Sequence, residues 1–224
     1  MPHRLIEGLR RFQKEYFPAY EEHYRRLVRE GQSPSTLFIG CSDSRVVPDL
    51  ITGTLPGELF IVRNVGALVP PFELDSGYHG VSAGIEFAVL NLGVTDIVVC
   101  GHTHCGAMRA VYDPPNPASP HVSKWLELAY DARLDEPISE EMLRLTEQRS
   151  VALQLERLMT FPMVAERVER GVVSLHGWHY VIEDGEIHVF DVREGDFVPA
   201  SLAHNAGTGP YLPFVEEDGA LLAQ

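Results

Sequence analysis

The sequence has no long apolar segment, few cysteines and a shortage of basic residues. Glu86 and Asp96 interrupt the longest apolar stretch, at 85–99, so no run reaches the roughly 18 residues of a membrane span. The first residues lack the apolar core of a secretory signal. With 18 Lys and Arg against 32 Asp and Glu, the net charge is -14, which disfavours binding to nucleic acids and anionic membranes. We therefore expect a soluble, cytoplasmic protein with no nucleic-acid and no membrane partner.

The three cysteines are too few for a disulfide scaffold, and a chain of 224 residues does not need one. We therefore expect reduced thiols that are available to a metal ion. At 45% hydrophobic and 22% charged residues, the composition is that of one globular domain with appendages. We expect an N-terminal helical arm at 1–30, an α/β domain at 31–195 and a C-terminal tail with little order of its own at 196–224.

The pattern of apolar residues predicts an α/β fold. Large apolar side chains recur every three or four residues over 5–28, which predicts one or two amphipathic helices in the arm. Strands are predicted at 36–40, 58–63, 96–100, 171–175 and 186–192, and further helices at 78–92, 120–131 and 138–159. Helical crossovers favour parallel pairing, whereas the Glu-Asp-Gly turn at 183–185 predicts an antiparallel hairpin. We expect a mostly parallel sheet of four strands plus a C-terminal antiparallel strand, with helices on both faces.

Two cysteines and a histidine lie where neighbouring strands are predicted to end. Cys41 follows the first strand, and His102 and Cys105 follow the third. Ligands of open parallel sheets bind outside the carboxyl ends of the strands, so the three side chains can meet there. Two thiolates and one imidazole suit tetrahedral Zn²⁺ and leave its fourth position open, as in catalytic zinc sites. The third cysteine, Cys100, is expected in the core, and His104 at the surface or beside the site.

Asp43 and Arg45 stand close to the first of these cysteines. Asp43 is near enough either to take the fourth zinc position or to accept a proton from a zinc-bound water. Arg45 can clamp the same carboxylate through two hydrogen bonds. The sequence leaves both roles of the aspartate open.

Five segments in order resemble the β-class carbonic anhydrases, with the closest likeness to plant and cyanobacterial members. They are CSDSRVVP at 41–48, VRNVGALVPP at 62–71, IEFAVLNLGV at 85–94, VVCGHTHCGAM at 98–108 and LHGWHY at 175–180. The resemblance implies a zinc ion held by Cys41, His102 and Cys105. It also implies the reversible hydration of carbon dioxide to bicarbonate and a proton by a zinc-bound hydroxide, which Asp43 orients while Arg45 holds it off the metal.

The resemblance extends to residues that bind the substrate. It implies that Gln32 donates a hydrogen bond to substrate in a neighbouring subunit, so we expect a homodimer or higher homo-oligomer formed through the N-terminal helices. Phe60, Val65 and Phe87 match positions that line the carbon dioxide pocket, and Gly106 is expected to bind substrate as well. Phe87 replaces a tyrosine that is common in plant members, which makes the pocket more apolar.

Some members of the family close the site by using the aspartate as a fourth zinc ligand, with bicarbonate bound by a tryptophan, an arginine and a tyrosine. Here Arg63 and Tyr180 match, but Phe38 stands at the tryptophan position and offers no indole donor. We therefore expect Asp43 to pair with Arg45 and the fourth position to be taken by another ligand.

The sequence leaves two other functions open. The same zinc hydroxide could hydrolyse carbonyl sulfide or carbon disulfide, for which a more apolar pocket is suited. Alternatively, the chain could be a non-catalytic zinc protein that acts as an assembly module. The joint presence of Asp43, Arg45 and Gln32 argues against the second function, because a structural zinc site needs neither a clamp nor a pocket.

Overall fold

A single six-stranded sheet forms the centre of the protein. The computed structural model describes residues 3–75 and 77–203. Within these ranges the strands are β1 (Thr36–Cys41), β2 (Leu59–Asn64), β3 (Asp96–His102), β4 (Ser174–Val181), β5 (Glu186–Asp191) and β6 (Asp196–Pro199). Their spatial order is β2-β1-β3-β4-β5-β6. The first four strands are parallel, and β5 and β6 are antiparallel, so the predicted fold class is confirmed.

The helices lie between the strands and at the N-terminus. They are α1 (His3–Arg11), α2 (Phe17–Glu30), α3 (Pro48–Thr52), α4 (Gly80–Glu86), α5 (Gly106–Ala110), α6 (Pro120–Leu126), α7 (Glu140–Leu158) and α8 (Pro162–Glu169). A π-helical turn at Phe12–Tyr16 joins the first two helices. Ser139 begins α7, because its side chain accepts a hydrogen bond of 3.1 Å from the amide of Met142. Among the described residues, no helix is both long enough and apolar enough to cross a bilayer.

The two faces of the sheet are covered unequally. On one face, Leu37 and Ile39 of β1 pack with apolar side chains of α4, α7 and α8 in the main core. On the other face, Phe38, Val98 and their buried neighbours form a cluster of strand residues alone. The sequence predicts helices on both faces. On this second face the helix is α3, which lies beside an open groove of about 580 Å³. Strand side chains that include Phe38 and Val98 line the groove.

The structure differs from the predicted strands at the C-terminal end of the domain. The fourth strand begins at Ser174 rather than at position 171, because Gly171 has a φ of 66° and ends the turn after α8. The start of the predicted tail instead forms β6, which turns back at Gly195 (φ 65°) and packs Phe197 against Phe190, with ring centroids 5.3 Å apart. The remainder of the predicted tail, 204–224, lies outside the described residues.

Candidate metal centre

The structure brings Cys41, His102 and Cys105 together at the carboxyl ends of β1 and β3. These strands pair in parallel with Gly40 opposite Cys100, so the two chain segments leave the sheet side by side. The sulfur atoms of the two cysteines and a ring nitrogen of His102 all lie within 4.8 Å of one another. All three residues are buried. This is the arrangement that we expect of three protein ligands around one metal ion.

The orientation of His102 fits a metal ligand. Its Nδ1 lies 2.9 Å from the carbonyl oxygen of Thr103 and donates a hydrogen bond to it. Nε2 is buried and has no hydrogen-bond partner within the part of the chain that the structure describes. A buried nitrogen lone pair without a donor is costly, and a metal ion beside two sulfur atoms supplies the missing partner.

The two cysteines interact directly with each other. The hydrogen bond from Cys105 lowers the pKa of the Cys41 thiol, and the same contact raises the pKa of Cys105. The backbone amide of Asp43 also donates to the sulfur of Cys41, at 3.4 Å. Hydrogen bonds of this kind favour the thiolate, which is the form that binds metals. Cys100 differs, because complete burial raises its pKa to about 12. Its predicted place in the core is confirmed.

Asp43 and Arg45 form the predicted pair at the entrance to the centre. Arg45 donates from Nε to Oδ1 of Asp43 at 2.9 Å and from its terminal nitrogen to Oδ2 at 2.8 Å, and its backbone amide donates to Oδ1 as well. These hydrogen bonds hold the pKa of Asp43 well below its usual range. Oδ2 lies 4.0 Å from Nε2 of His102, so the clamped carboxylate stays close to the ligands.

Two further contacts support this loop from outside. The terminal nitrogen of Arg45 donates to the backbone oxygen of His104 at 3.1 Å, and the exposed His104 side chain lies 3.6 Å from Glu183. Arg63 donates to the backbone oxygens of Cys41 and Asp43 at 2.9 and 2.7 Å. The guanidinium of Arg63 therefore holds the backbone of the loop in this structure.

Phe38 and Tyr180 lie on the sheet face that carries the open groove. Phe38 is fully buried and meets Trp178 edge to face, with ring centroids 6.1 Å apart. Tyr180 packs against the same cluster. Trp178 belongs to β4, which is separated from β1 by β3, so the rings of Phe38 and Trp178 meet across the face of the intervening strand.

The three candidate ligands line a small cavity of about 10 Å³, and none of the predicted substrate residues lines it. Phe60 on β2 and Phe87 after α4 stack with ring centroids 5.7 Å apart, and Phe87 and Val65 are both exposed. Gly106 begins α5 directly after the third ligand. Gln32 is exposed in the loop before β1, at the opposite end of that strand from Cys41. Gln32 therefore cannot reach the metal centre of its own chain. The substrate roles of all these residues stay predictions.

A buried acid on α7 was not predicted. Glu147 accepts a hydrogen bond of 2.9 Å from the backbone amide of Cys105, and its other oxygen meets His179 at 3.1 Å. The signal in the sequence is weak but present, because position 147 falls four residues after Leu143 and four before Val151, both of which are core residues. A charged residue on the apolar face of a helix indicates a buried partner.

Comparison with known proteins identifies relatives of the whole domain. Residues 36–187 match the protein family described as carbonic anhydrase. A carbonic anhydrase of Pseudomonas aeruginosa is 44% identical over 207 residues, which cover 90% of this chain and 92% of the relative. A carbonic anhydrase of Synechocystis sp. is 39% identical over 211 residues, covering 91% of this chain and 76% of the relative.

Solved structures agree with these relatives. The β-carbonic anhydrase CcaA superposes with a TM-score of 0.82 at 38% identity, covering 88% of this chain and 90% of that one. A tetrameric β-carbonic anhydrase of Sordaria macrospora gives a TM-score of 0.74 at 27% identity, covering 88% of this chain and 98% of that one. The similarity to both solved structures therefore extends over 88% of this chain.

Proposed function

The chain belongs to the β-class carbonic anhydrases, zinc enzymes that reversibly hydrate carbon dioxide to bicarbonate and a proton, and we propose that Cys41, His102 and Cys105 hold its zinc ion. Two observations carry the assignment: a ring nitrogen of His102 lies within 4.8 Å of both sulfur atoms, and the buried Nε2 of this ring lacks a hydrogen-bond partner among the described residues. Three ligands of this softness suit zinc and leave one position for water or substrate.

A zinc ion held by these three residues would supply Lewis acidity that lowers the pKa of a coordinated water towards about 7. The role of Asp43 would be to accept a hydrogen bond from that water at Oδ2 and so to orient it towards the substrate carbon. Arg45 keeps Asp43 from becoming a ligand, because both carboxylate oxygens are already engaged by its guanidinium. The proposed roles are therefore orientation for the aspartate and restraint for the arginine.

We further propose that the substrate pocket is completed between subunits. Phe87 and Val65 expose apolar surface, and the stacked pair of Phe60 and Phe87 offers a wall without hydrogen-bonding groups. Such a wall suits carbon dioxide, which is small and carries no charge. Gln32 cannot reach the centre of its own chain, so the proposal requires that it reaches the centre of a neighbour. Gly106, at the start of α5, leaves space beside the third ligand.

A homodimer with exchanged N-terminal arms is the proposed assembly. The arm over His3–Glu30 has no buried residue, yet it exposes Leu5, Leu9 and Phe12. The open groove on the second sheet face presents apolar strand side chains that need a cover. If the arm (1–30) of each subunit lies on the domain (31–195) of its partner, the exposed apolar residues of the arm and the open groove cover each other.

A cytoplasmic location is also part of the proposal. Cys41, Cys100 and Cys105 form no disulfide bond, and thiolate ligands persist best where the surroundings are reducing.

Stopped-flow measurement of carbon dioxide hydration by the purified protein, with zinc content determined on the same sample, tests the proposed function. We expect one zinc ion per chain and a rate that falls when zinc is removed and returns when it is restored. Carbonyl sulfide serves as a comparison substrate. A zinc-loaded protein that hydrates neither molecule would contradict the proposal and would favour an assembly role.

A further inference from the structure

Helix α7 presents polar side chains to the interior directly behind the metal centre. Thr146, Glu147, Ser150 and Gln154 are all buried, and their spacing of three to four residues places them along neighbouring rows of the helix. Burying a polar group is unfavourable unless it finds hydrogen-bond partners. These four side chains therefore need hydrogen-bond partners inside the protein, which apolar side chains would not. One partner of Glu147 is the candidate metal ligand Cys105.

Glu147 links Cys105 to a second buried side chain. Its Oε1 accepts a hydrogen bond from the amide nitrogen of Cys105 at 2.9 Å, and Oε2 lies 3.1 Å from Nε2 of His179 on β4. The side chains of Glu147 and His179 are 1% and 0% exposed. Both oxygens of the carboxylate are engaged, so its position is fixed by one contact on each side.

Two glycines of the sheet allow α7 to approach this closely. A Cβ atom at Gly101 would lie 2.7 Å from a methyl carbon of Val151, and one at Gly177 would lie 3.1 Å from methyl groups of Val151 and Leu155. These distances are shorter than normal contacts between carbon atoms. Glycine at both positions therefore brings the helix within reach of the ligand loop.

The space between the helix and the ligands is almost filled. A cavity of about 10 Å³ separates them, lined by the three candidate ligands together with Glu147, Ser150 and Gln154. It is too small for a substrate and is at the lower limit for one water molecule. The helix therefore supports the ligands from behind and leaves the opposite side, where Asp43 lies, as the side for chemistry.

We propose that Glu147, held by His179, is a positioning residue that fixes the backbone of Cys105 and thereby the direction of its sulfur atom. The proposal rests on the zinc site proposed above. Without an acceptor, the buried amide of Cys105 loses its partner and the loop turns to find another. Residues that hold metal ligands through hydrogen bonds typically change metal affinity by about 10-fold to 100-fold when they are replaced.

The chemistry of the two donors explains why the acceptor is a carboxylate. An amide N–H and an imidazole N–H both point at Glu147, and a carboxylate offers acceptors alone. In Glu147→Gln, one oxygen still accepts from Cys105, but the new NH₂ group faces Nε2 of His179. In Glu147→Leu both acceptors are lost. The proposal therefore ranks zinc affinity as wild type above Glu147→Gln above Glu147→Leu.

The experiment follows zinc transfer from the holoenzyme to a chromogenic chelator and, separately, the absorption spectrum of the cobalt-substituted protein. We expect Glu147→Leu to weaken zinc binding about 10-fold to 100-fold and to change the cobalt spectrum, with a smaller effect in Glu147→Gln. Thr146→Val is the matched control. Thr146 is buried on the same helix and bonds the carbonyl of Met142 and the hydroxyl of Tyr112, but no ligand.

The control separates positioning from general stability. Thr146→Val should lower the melting temperature while zinc affinity and the cobalt spectrum stay unchanged. Equal zinc affinity in wild type, Glu147→Gln and Glu147→Leu, or an equal loss in Thr146→Val, would overturn the proposal. If Glu147→Leu does not fold, the comparison of Glu147→Gln with His179→Phe decides in the same way. A wild-type protein that binds no zinc overturns the proposed metal site, and the positioning role with it.

Discussion

Replacement of Arg45 by alanine tests the clamp at the entrance to the metal centre. The change removes two side-chain hydrogen bonds to Asp43, at 2.9 and 2.8 Å, and one to the backbone of His104 at 3.1 Å. Because the arginine side chain is 45% exposed, water replaces much of what is lost, and we expect the free energy of unfolding to fall by only about 1 kcal/mol. The ligands themselves are untouched, so zinc content should stay intact.

Turnover should respond far more strongly than stability. Once released, Asp43 can move towards the candidate ligands, because its Oδ2 already lies 4.0 Å from Nε2 of His102. A displacement of about 1 Å in a group that orients a reactant can cost about 100-fold in rate. We therefore expect Arg45→Ala to lower kcat at neutral pH by up to about 100-fold.

The assay combines zinc content, thermal unfolding and stopped-flow kinetics on the same preparations. Arg170→Ala is the control, because Arg170 is 65% exposed and pairs with Glu166 at 3.2 Å, away from the centre. It should change neither turnover nor zinc content. If Arg45→Ala kept wild-type turnover, the pair would be an ordinary surface ion pair. If it lost its zinc, the arginine would support the ligands rather than the aspartate.

Four further predictions concern the ligands, the acid range, the arm and the sheet. Cys105→Ala should lose zinc in metal analysis whereas Cys100→Ala keeps it, and full zinc occupancy in the first variant would refute the assignment. The lowered pKa of Asp43 in the folded state means that its ionised form stabilises the fold above about pH 4 and that this contribution is lost as pH falls towards the folded pKa. Urea unfolding should therefore show a gap between wild type and Asp43→Asn that is full at neutral pH and closes in acid, and a constant gap would contradict this. Sedimentation should give a dimer or a larger oligomer for the full chain and a monomer after deletion of the arm. An active 25.0 kDa monomer of the full chain would contradict the exchange of arms between subunits. Gly101→Ala should lower the free energy of unfolding by about 1–3 kcal/mol, because it overpacks the core, and it should also weaken zinc binding. Denaturation measures the first effect and chelator competition the second. Unchanged values would show that α7 can shift without cost.

The candidate ligands could be predicted because a simple rule of sheet geometry connects them. Cys41 and Cys105 lie far apart in sequence, but each follows a short apolar strand, and parallel neighbours end at the same edge. The chemistry of the donor set then indicated zinc. Asp43 and Arg45 followed from their position in the same loop, and the structure shows them paired.

Other features depend on packing that a pattern does not reveal. Asp196–Pro199 forms a strand because Gly195 turns the chain back and Phe197 finds aromatic neighbours, which cannot be read from four residues alone. The burial of Glu147 is only weakly indicated by the sequence, because a glutamate on a helix is usually exposed. Its burial depends on His179, more than thirty residues later, and on glycines that bring helix and sheet together.

The parallel pairing of β1 with β3 has a consequence for how the protein acquires its metal. In an unfolded chain, a zinc ion bridging Cys41 and Cys105 would close a loop of about 64 residues, at an entropic cost of about 4 kcal/mol. The folded sheet has already closed that loop, so zinc binds the native chain in strong preference to the unfolded one. By mass action, free zinc at about 1,000 times its dissociation constant adds about 4 kcal/mol to the stability of the native state. The lifetime of the enzyme under heat or proteolysis should therefore follow the zinc supply of its surroundings.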